Sequence, residues 1–513
     1  MKSLMRQNNV LEYLESTTMT VPDKVAFTDA SESVTFSQTM KSARAIGTFI
    51  SEKEHYNEPI VVFMGKHPRT ILSFLGIVYS GNYYVPIDDE MPKHRIELIL
   101  DNLKPKAMIC DDSTIELAKD YGYDGNVYLY SEIIENTVDD KLLMDIRNKA
   151  IDTDPIYIVF TSGSTGIPKG VVACHRSVID FVENLSDVLS FNADTIFGQQ
   201  VPLYVDACLK EIYSTLKMGA TNVLIPKELF MFPIKLVEFM NEYKVNTVCW
   251  VVSALTIISG FGTLEKQVPK FLHTIAFGSE VMPIKQLRIW RKHLRKAKFF
   301  NLYGPTEATG MSCYYEISRE FELDELIPIG QAFKNTNIML LTEDKELAQK
   351  GEVGEICIRG TSLTLGYYKD FEKTNEAFIQ NPLNTNYPEL IYCTGDLGKY
   401  NEQGELTFIS RKDNQVKHMG HRIELGEIEI IINMLDKVQN ACCLFDDKKK
   451  KIMLFYTGDV SKADVSIYLR KKLPRYMVPN SIKQLETMPY TTNGKINRNE
   501  IKEKYIKKQE REC

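Results

Sequence analysis

TSGSTGIPKG, residues Thr161–Gly170, is the stretch around which the rest of the sequence is interpreted. It directly follows Ile156–Phe160, an apolar run with the length and the β-branched and aromatic character of a buried strand. Its glycines let backbone N–H groups approach an anion closely, its hydroxyl groups add hydrogen-bond donors, and Lys169 adds a positive charge. We therefore expect a strand to deliver a loop that binds phosphate.

The spacing within this loop is not that of a P-loop, because Gly163 and Gly166 are three residues apart and Lys169 precedes Gly170. A plain P-loop ATPase is therefore excluded. Taken alone, the composition also fits a surface loop before Val171–Leu185, so other segments have to support the phosphate-binding interpretation. The loop positions that we expect to contact phosphate are Thr161, Ser162, Gly163, Ser164, Thr165, Gly166 and Lys169.

Composition restricts the class of protein. A chain of 513 residues suggests a large body with one or more smaller units, and 44% hydrophobic and 25% charged residues are ordinary for a globular enzyme. A net charge of −6 without a long basic block argues against nucleic acid as a partner.

The ten cysteines form no C-x-x-C pair, so neither a zinc site nor a disulfide framework is indicated. No apolar run has the length of a signal-peptide core or a membrane span, so we expect a cytoplasmic protein without a membrane partner.

The glycine-rich loop resembles the phosphate-binding signature of the adenylate-forming superfamily, which contains acyl-CoA synthetases, luciferases and the adenylation domains of nonribosomal peptide synthetases. The resemblance extends from about Val34 to Arg498, with further segments in family order. These segments are Gly81–Leu100, Val201–Tyr213 (VPLYVDACLKEIY), Ala276–Pro283 (AFGSEVMP), Asn301–Thr309 (NLYGPTEAT), Gly351–Asp370, Tyr392–Tyr400 (YCTGDLGKY), Ser410–Glu429, Leu473–Ile482 and Met488–Arg498 (MPYTTNGKINR).

The order of the predicted elements indicates an α/β fold. Helix-like Ser37–Ile50 and Ile71–Tyr79 alternate with strand-like runs such as Pro59–Met64, as in a sheet with helices on its faces. The resemblance implies a large N-terminal body of stacked α/β subdomains (residues 1–410) and a small mobile α+β C-terminal domain (residues 415–513). Between them it implies a hinge at residues 411–414, which contains Asp413.

Four local predictions concern the C-terminal part. The basic run Lys448–Lys451 lies between apolar segments and is interpreted as a solvated hairpin turn. By resemblance, Gly420 lets the backbone pass close to a pantetheine arm, and Arg422–Glu424 begins the helix that follows. We interpret His418 and His421 as solvent-facing residues of a strand loop rather than as metal ligands.

The resemblance implies that the protein binds ATP and Mg²⁺ and holds no tightly bound prosthetic group. Tyr303 would offer its ring to adenine, and Asn301 would offer its amide to the edge of the base. Thr306 would contact phosphate, and Glu307 would give magnesium a hard oxygen ligand. Further positions expected around the nucleotide are Gly278, Ser279 (where the family pattern has a second glycine) and Gly304.

Ribose and the reacting groups involve residues that lie later in the chain. Asp396 would accept hydrogen bonds from both ribose hydroxyls, and Arg411 would make a second ribose or phosphate contact. Lys495 follows Asn-Gly in a loop, from which its ammonium group would bridge the substrate carboxylate and the α-phosphate. The residues to which the resemblance assigns catalysis are therefore Lys495, Lys169 and Glu307.

The acid substrate is indicated by Asp206, which matches the aspartate that binds the α-ammonium group in the amino-acid-activating branch of the superfamily. A carboxylate in a mostly apolar pocket is costly unless it is paired, and an ammonium group both pairs with it and fixes the substrate's orientation. Val205 and Cys208 depart from the usual residues of this segment. The other positions that match the side-chain pocket are Ala207, Lys210, Cys249, Ala276, Gly278, Leu302, Gly310 and Met311.

Lys210 lies one helical turn beyond Asp206 and is the charged member of this set. A buried ammonium group needs a counter-charge, so one interpretation is that the substrate carries an acidic side chain. The other interpretation is that Lys210 turns to solvent or pairs with a neighbouring acid. The Cys249 match is local, since Trp250–Ser253 lacks the proline usual in the family.

The implied reaction is ATP-dependent adenylation of an amino acid, followed by transfer to the phosphopantetheine thiol of a carrier protein. Because no carrier-like attachment site follows Lys495, the carrier protein is expected in trans. The chain is similar both to stand-alone adenylation domains and to D-alanine–carrier protein ligases, and these two remain open. One alternative is an acyl- or aryl-CoA synthetase, which Asp206 disfavours. Another is a non-catalytic nucleotide-binding relative, in which loss of one of Lys169, Glu307, Asp396 or Lys495 would be expected.

Overall fold

The computed structural model describes residues 7–163, 167–323, 325–412, 415–489 and 496–507. The chain divides into two compact units. The first comprises Met1–Asp89, Leu103–Phe160 and Gly170–Lys412, and the second comprises Glu90–Asn102, Thr161–Lys169 and Asp413–Cys513. Residues 90–102 and 161–169, which the sequence assigned to the large body, thus group with the C-terminal residues. The boundaries 1–410, 411–414 and 415–513 stay a prediction.

The first third of the chain alternates strands with helices, as predicted. Its strands are β1 (Val25–Thr28), β2 (Ser33–Thr35), β3 (Pro59–Phe63), β4 (Tyr83–Ile87), β5 (Ala107–Cys110), β6 (Asn126–Leu129) and β7 (Pro155–Thr161). Its helices are α1 (Leu11–Thr20), α2 (Phe36–Ser51), α3 (Pro68–Tyr79), α4 (Lys93–Leu103), α5 (Ile115–Asp120), α6 (Tyr130–Ile133) and α7 (Asp140–Arg147).

The middle part, up to residue 412, continues the alternation and then becomes mainly β. Its strands are β8 (Lys169–Cys174), β9 (Ile196–Gln199), β10 (Thr221–Leu224), β11 (Thr247–Val251), β12 (Thr274–Gly278), β13 (Lys298–Tyr303), β14 (Cys313–Glu316), β15 (Gln331–Ala332), β16 (Thr336–Leu341), β17 (Gly354–Gly360), β18 (Phe378–Gln380), β19 (Leu390–Tyr400) and β20 (Leu406–Arg411). Its helices are α8 (His175–Val188), α9 (Leu209–Met218), α10 (Pro233–Glu242), α11 (Val252–Gly260), α12 (Thr263–Lys266), α13 (Ile284–His293) and α14 (Phe371–Ala377).

The last part mixes short strands and helices. Its strands are β21 (Gln415–His418), β22 (His421–Glu424), β23 (Val438–Asp446), β24 (Lys451–Gly458) and β25 (Ser481–Gln484). Its helices are α15 (Leu425–Asn433), α16 (Lys462–Lys472) and α17 (Arg498–Lys502).

Two sheets with parallel central strands make up most of the first unit. One has nine strands in the order β15-β14-β13-β12-β11-β9-β10-β1-β2. Its six central strands, from β13 to β1, are parallel, and antiparallel strands lie at both edges. The other has six strands in the order β6-β5-β3-β4-β7-β8. The predicted α/β fold is therefore confirmed, and the apolar run Ile156–Phe160 forms most of β7.

A third, antiparallel sheet completes the first unit. Its path is β16-β17-β19-β18, with β20 paired to β19. Strand β19 is eleven residues long and shows the alternating burial of a strand with one covered face. This sheet brings Asp396 on β19 opposite Arg411 on β20.

The second unit contains a hairpin that corrects one prediction. Arg422–Glu424 lies in β22, and the helix begins only at Leu425. The reason is the turn, because Met419 and Gly420 both have positive φ (51° and 80°), as a two-residue type I′ hairpin turn requires, and His418 pairs with His421. The histidines are not both solvent-facing either, since His418 is buried and His421 stacks on Tyr476 with ring centroids 3.7 Å apart.

The rest of the second unit packs strands β23, β24 and β25 against helices α15 and α16. Strands β23 and β24 are antiparallel, and β25 runs parallel to β24. The basic run Lys448–Lys451 falls at the turn between β23 and β24, as predicted. Among the helices of the described residues, none is both long enough and apolar enough to span a membrane.

Helices α2 and α3 pack unusually closely through two glycines. Helix α2 begins with a capping box in which Thr35 and Gln38 satisfy each other's backbone N–H groups. A Cβ atom added at Gly76 would lie 2.5 Å from Cβ of Ile46, and one added at Gly47 would lie 2.6 Å from Cβ of Tyr79. Because protein interiors are close-packed, these positions leave no room for a methyl group.

We predict that Gly76→Ala destabilises the protein by about 1–3 kcal/mol, because the new methyl group forces helices α2 and α3 apart. Urea unfolding followed by circular dichroism measures the change. The matched control is Gly260→Ala in helix α11, where an added Cβ has no heavy atom within 4 Å. There alanine should leave stability unchanged or raise it. Equal stability of the two variants would contradict the close packing of α2 on α3.

Candidate functional site

Four of the predicted pocket residues share one face of the nine-stranded sheet. Strands β11, β12 and β13 are adjacent and parallel, and in their register Cys249 pairs with Ala276 while Gly278 pairs with Leu302. Paired residues of adjacent strands point to the same side, and so do residues two apart on one strand. The side chains expected to surround the substrate therefore lie together at the carboxyl end of this sheet, where ligands of such sheets bind.

Asp206 follows strand β9 of the same sheet and begins a 3₁₀ turn, Asp206–Cys208, that leads into helix α9. The residue is partly exposed. Burial nevertheless raises the pKa of its carboxyl, and a hydrogen bond with Thr306 and the charge of Lys210 act against that rise. The structure thus brings together Asp206 and Thr306, which are distant in the sequence.

The turn after YGPTE brings the backbone of Gly310 beside Asp206. Gly310 has φ +88°, and a Cβ atom there would lie 3.9 Å from Oδ2 of Asp206. A Cβ atom at Gly304 would lie 2.5 Å from the carbonyl oxygen of Gly310 and from Cα of Met311. Glycine at both positions therefore lets the backbone of residues 310–311 pass close to the predicted pocket.

Lys210 is a buried cation on helix α9, with 4% of its surface exposed. Its positive charge acts to lower the pKa of Asp206, Glu211 and Cys249, so its ammonium group lies within electrostatic range of these three residues. Within the part of the chain that the structure describes, no carboxylate lies within ion-pair distance of it. The interpretation that Lys210 turns to solvent does not fit its burial. Its electrostatic neighbours Asp206 and Glu211 form no direct ion pair with it.

Sequence reasoning missed two further charged groups that interact electrostatically, Glu211 and Lys66. Glu211 is fully buried, and neither carboxylate oxygen has a hydrogen-bond partner among the described residues. Burial raises its pKa from 4.5 to about 7, against the charges of Lys210 and Lys66. Lys66 comes from the loop after β3, and burial lowers its pKa to about 7. Lys66 could not have been paired with Glu211 from sequence, because no local pattern links the two positions.

The ammonium group of Lys66 is held by the backbone. It donates to the carbonyl oxygens of Gln199, Gln200 and Ile225, at 2.8, 2.9 and 3.0 Å. These bonds use all three ammonium protons and tie the carboxyl ends of strands β9 and β10 to the loop after β3. Lys66 is thus fully hydrogen-bonded, whereas Lys210 is not bonded to a carboxylate.

Glu307, the predicted magnesium ligand, lies in the 3₁₀ turn Thr306–Ala308 and is fully buried. The hydroxyl of Tyr367 donates to its Oε1 at 2.7 Å. The backbone N–H of Thr364 donates to its carbonyl oxygen at 3.0 Å, which fixes the turn. A positioned carboxylate of this kind has the donor chemistry that Mg²⁺ prefers, and the family-derived expectation for Glu307 fits it.

The predicted ribose residues Asp396 and Arg411 form a hydrogen-bonded chain with Tyr303, which was predicted to contact adenine. The hydroxyl of Tyr303 donates to Oδ2 of Asp396 at 2.6 Å, and the guanidinium of Arg411 donates to Oδ1 of the same carboxylate. Both Asp396 oxygens therefore have partners, and the structure brings these three expected residues together. The Asn301 amide, expected at the base edge, instead donates to the carbonyl oxygen of Pro328 at 2.8 Å.

Ser279, which follows Gly278 at the end of β12, has φ +66°. This is the backbone conformation that favours glycine, and it explains why the family pattern has a glycine at the position of Ser279. A Cβ atom at Gly278 itself would lie 2.6 Å from the carbonyl oxygen of Leu302 on β13. The two residues therefore keep the tight turn that the sequence predicted for this segment.

The described residues of the glycine-rich loop belong to the second unit, where they are bonded to C-terminal residues. The Ser162 hydroxyl donates to the carbonyl oxygen of Arg422 at 2.8 Å and accepts from the N–H of Glu424 at 3.2 Å. The N–H of Gly163 donates to Oε2 of Glu427 at 3.2 Å. Two of the expected phosphate donors are thus engaged by residues 422–427.

Glu427 also has a partner in Arg95, which lies in the family-like segment Gly81–Leu100. The Arg95 guanidinium and the Glu427 carboxylate form an ion pair that is almost completely buried. Burial raises the pKa of Glu427, and Arg95 acts against that rise. Arg95, Glu427 and the N–H of Gly163 therefore form one hydrogen-bonded group within the second unit.

The remaining predicted positions differ in what the structure describes. Lys169 begins strand β8, and the Thr161 hydroxyl is 3.5 Å from its carbonyl oxygen. Gly420 lies in the turn of the β21–β22 hairpin. Ala207 is the second residue of the turn that Asp206 begins. The predictions that lie outside the described residues are Ser164, Thr165, Gly166, Asp413 and Lys495.

Comparison with known proteins agrees with this arrangement. Residues 14–368 match the family described as AMP-binding enzyme. Bacitracin synthase 1 of Bacillus licheniformis is 31% identical over 499 residues, which make up 96% of this chain and 9% of that protein. The chain therefore belongs to the AMP-binding enzyme family, and it spans a small part of the length of this relative.

Solved structures show the same fold. NpsA-ThdA, an artificially fused adenylation–PCP di-domain NRPS from Klebsiella oxytoca, superposes with a TM-score of 0.80 at 21% identity, over 93% of this chain and 94% of that one. A double mutant of o-succinylbenzoate CoA synthetase (MenE) from Bacillus subtilis superposes with a TM-score of 0.83 at 18% identity, over 97% and 98%. The predicted fold, a large N-terminal body with a smaller C-terminal domain, is confirmed.

The buried carboxylate of Glu211 gives the site a pH-dependent test. Its pKa of about 7 in the folded protein is above the ordinary value of 4.5, so the folded state keeps the proton when the unfolded chain has lost it. Stability from this group is therefore greatest at low pH and is lost as pH rises from about 4.5 to 7. We predict that Glu211→Gln gains stability over the wild type, and that the gain grows by about 2 kcal/mol between about pH 5.5 and 8.5.

Urea unfolding at a series of pH values measures this difference. The matched control is Glu402→Gln, at an exposed position in a turn, which should change the pH dependence little. A Glu211→Gln variant whose stability relative to wild type does not vary with pH would show that Glu211 is not a buried acid with a raised pKa.

Proposed function

We propose that the protein activates an amino acid by ATP-dependent adenylation and transfers it to the phosphopantetheine thiol of a carrier protein in trans. The observation that carries the proposal is Asp206, which lies beside the open backbone of Gly310 near the carboxyl ends of the parallel strands. A carboxylate whose pKa is raised by burial is stabilised by a cation, and the α-ammonium group of an amino acid supplies one together with a fixed orientation.

Adenylation needs a carboxylate nucleophile, which the amino acid already carries, and a setting that stabilises the charge on phosphate. Glu307 would hold Mg²⁺, and magnesium bound there would neutralise phosphate charge. Asp396, held by Tyr303 and Arg411, would bind the ribose hydroxyls by exchanging its present partners for them. Lys495 and Lys169 would stabilise the charge that develops at the α-phosphate, as the resemblance implies.

The phosphate loop would have to release its present bonds to carry out this role. Ser162 and Gly163 donate to Arg422 and Glu427, so phosphate oxygens would replace a backbone carbonyl and a carboxylate as acceptors. A charged phosphate oxygen is a stronger acceptor for the Ser162 hydroxyl than the neutral carbonyl of Arg422, which favours the exchange at that residue. Gly420 and the hairpin that contains it would serve the later thioester step, again by resemblance.

The substrate side chain is proposed to be acidic. Lys210 is buried and faces the pocket residues, and no carboxylate of the described residues forms an ion pair with it. A carboxylate on the substrate would supply the missing counter-charge. Cys249, Ala276 and Leu302 are small or apolar and would pack against the aliphatic part of such a side chain.

Pyrophosphate release measured with ATP and Mg²⁺ tests the proposal. The acids to be compared are the proteinogenic amino acids, D-alanine, and several fatty and aryl acids. We predict release with one or a few amino acids, led by aspartate or glutamate. Release with D-alanine alone would instead support a D-alanine–carrier protein ligase. Release restricted to acids without an amino group would support an acyl- or aryl-CoA synthetase, and release with none of the acids would favour a non-catalytic relative.

The role of Lys210 has its own test. Lys210→Met keeps the length of the side chain and removes its charge, so we predict that activation of acidic amino acids falls by about 100-fold in kcat/KM. Activation of amino acids with apolar side chains should fall less or rise. The matched control is Lys217→Met on the same helix, because Lys217 already forms an ion pair with Glu183 at 2.7 Å. An unchanged amino acid profile in Lys210→Met would remove Lys210 from substrate selection.

A further inference from the structure

Two cysteines outside the candidate site face each other across the third sheet. Cys357 on β17 is paired directly with Cys393 on β19. Their sulfur atoms are 3.6 Å apart, and the thiol of Cys357 donates a hydrogen bond to Sγ of Cys393. Cys357 is fully buried, whereas Cys393 is partly exposed. The adenylation reaction proposed above uses neither thiol.

The backbone geometry suits a covalent bond between them. Residues directly opposite each other on antiparallel strands have Cα atoms about 4.5–5.5 Å apart. This lies within the range of about 4.4–6.8 Å that disulfides span. Rotation of the two side chains is therefore enough to bring the sulfur atoms from 3.6 Å to bonding distance. The bulge between Glu355 and Cys357 gives the strand additional local freedom.

The surrounding charges make one of the two thiols the better nucleophile. The hydrogen bond from Cys357 lowers the pKa of Cys393 and raises the pKa of Cys357. The ammonium of Lys412 lowers the pKa of Cys393 further, while burial and the carboxylate of Glu355 act in the opposite direction. Since the thiolate is the reactive form, Cys393 is the cysteine that reacts first with an oxidant.

We propose that Cys357 and Cys393 form a reversible disulfide when the protein meets a peroxide. The thiolate of Cys393 attacks one oxygen of hydrogen peroxide, the O–O bond breaks, and a sulfenic acid and hydroxide are formed. The sulfur of Cys357 then attacks the sulfenic sulfur, the S–S bond forms, and the hydroxyl leaves with the thiol proton as water. The hydroxide takes the other thiol proton, so two thiols are oxidised and one peroxide is reduced to two waters. A dithiol reductant reverses the reaction by exchange.

A metal site is the alternative for this cluster. One ligand atom from each of Glu355, Cys357 and Cys393 lies within 4.8 Å of the others, a set that a thiophilic cation accepts. Glu355, however, already has partners on both oxygens, because the N–H of Gly395 donates to Oε1 at 2.8 Å and the ammonium of Lys412 lies 3.0 Å from Oε2. An ammonium group at that position repels a metal cation, so the disulfide is favoured.

Peptide mapping of the full chain tests the proposal. Trypsin places Cys357 in Gly351–Arg359 and Cys393 in Thr374–Lys399, and each of these peptides contains one cysteine. After treatment with hydrogen peroxide and blocking of free thiols, we expect the two peptides to be joined, with a loss of two thiols per chain. Dithiothreitol should separate them again and restore both thiols.

Variants and a metal titration separate the other outcomes. Cys357→Ser should abolish the joined peptide and leave Cys393 as a sulfenic acid or a more oxidised form. The matched control Cys110→Ser, at a buried cysteine of β5, should leave the joined peptide unchanged. The proposal is overturned if the wild-type peptides stay separate after oxidation. It is also overturned if the reduced protein binds one Zn²⁺ that protects both thiols from alkylation and Glu355→Gln weakens that binding.

Discussion

A partly exposed carboxylate whose pKa is raised near the carboxyl ends of a parallel sheet needs a positive partner, and the site around Asp206 is built on this constraint. Burial raises the pKa of its carboxyl, while Thr306 and Lys210 supply opposing stabilisation. The glycine at residue 310 leaves out a Cβ atom that would lie 3.9 Å from Oδ2 of Asp206. In the proposed function an amino acid would offer the missing cation on the same molecule as the reacting carboxylate, so one ion pair would both bind and orient the substrate.

The two lysines near this pocket differ in their partners: Lys66 is held by backbone hydrogen bonds, whereas Lys210 forms no ion pair within the described residues. Lys66 donates to three backbone carbonyl oxygens and so ties strands β9 and β10 to the loop after β3. Lys210 is more deeply buried but has no ion pair with a carboxylate of the described residues. Glu211 lies within electrostatic range of both, and its raised pKa shows that neither lysine fully compensates for its burial. In the proposed function the substrate would complete the charge balance of the site.

Local patterns in the sequence were sufficient for the elements that depend on local physics. The apolar run Ile156–Phe160 predicted a strand, and the basic run Lys448–Lys451 predicted a turn. Long-range pairing was beyond such patterns, since Arg95 and Glu427 are 332 residues apart and neither lies in a motif that requires the other. Arg422–Glu424 was predicted by resemblance to begin a helix. Nothing in the composition of this region shows that Met419 adopts positive φ, and the turn formed there pairs the segment as a strand. The pocket positions came from resemblance to a family, and the sheet register explains why Ala276 and Leu302 belong together.

The most direct test of the account is a double-mutant cycle between Asp206 and the substrate's amino group. Pyrophosphate release is measured as kcat/KM for the wild type and Asp206→Asn, each with the activated amino acid and with its analogue lacking the α-amino group, and Asp111→Asn serves as a buried control. The account predicts a strong wild-type preference for the amino acid that the substitution removes, with a coupling energy of about 2 kcal/mol or more. Equal losses for both substrates, with coupling near zero, would contradict an ion pair between Asp206 and the α-ammonium group.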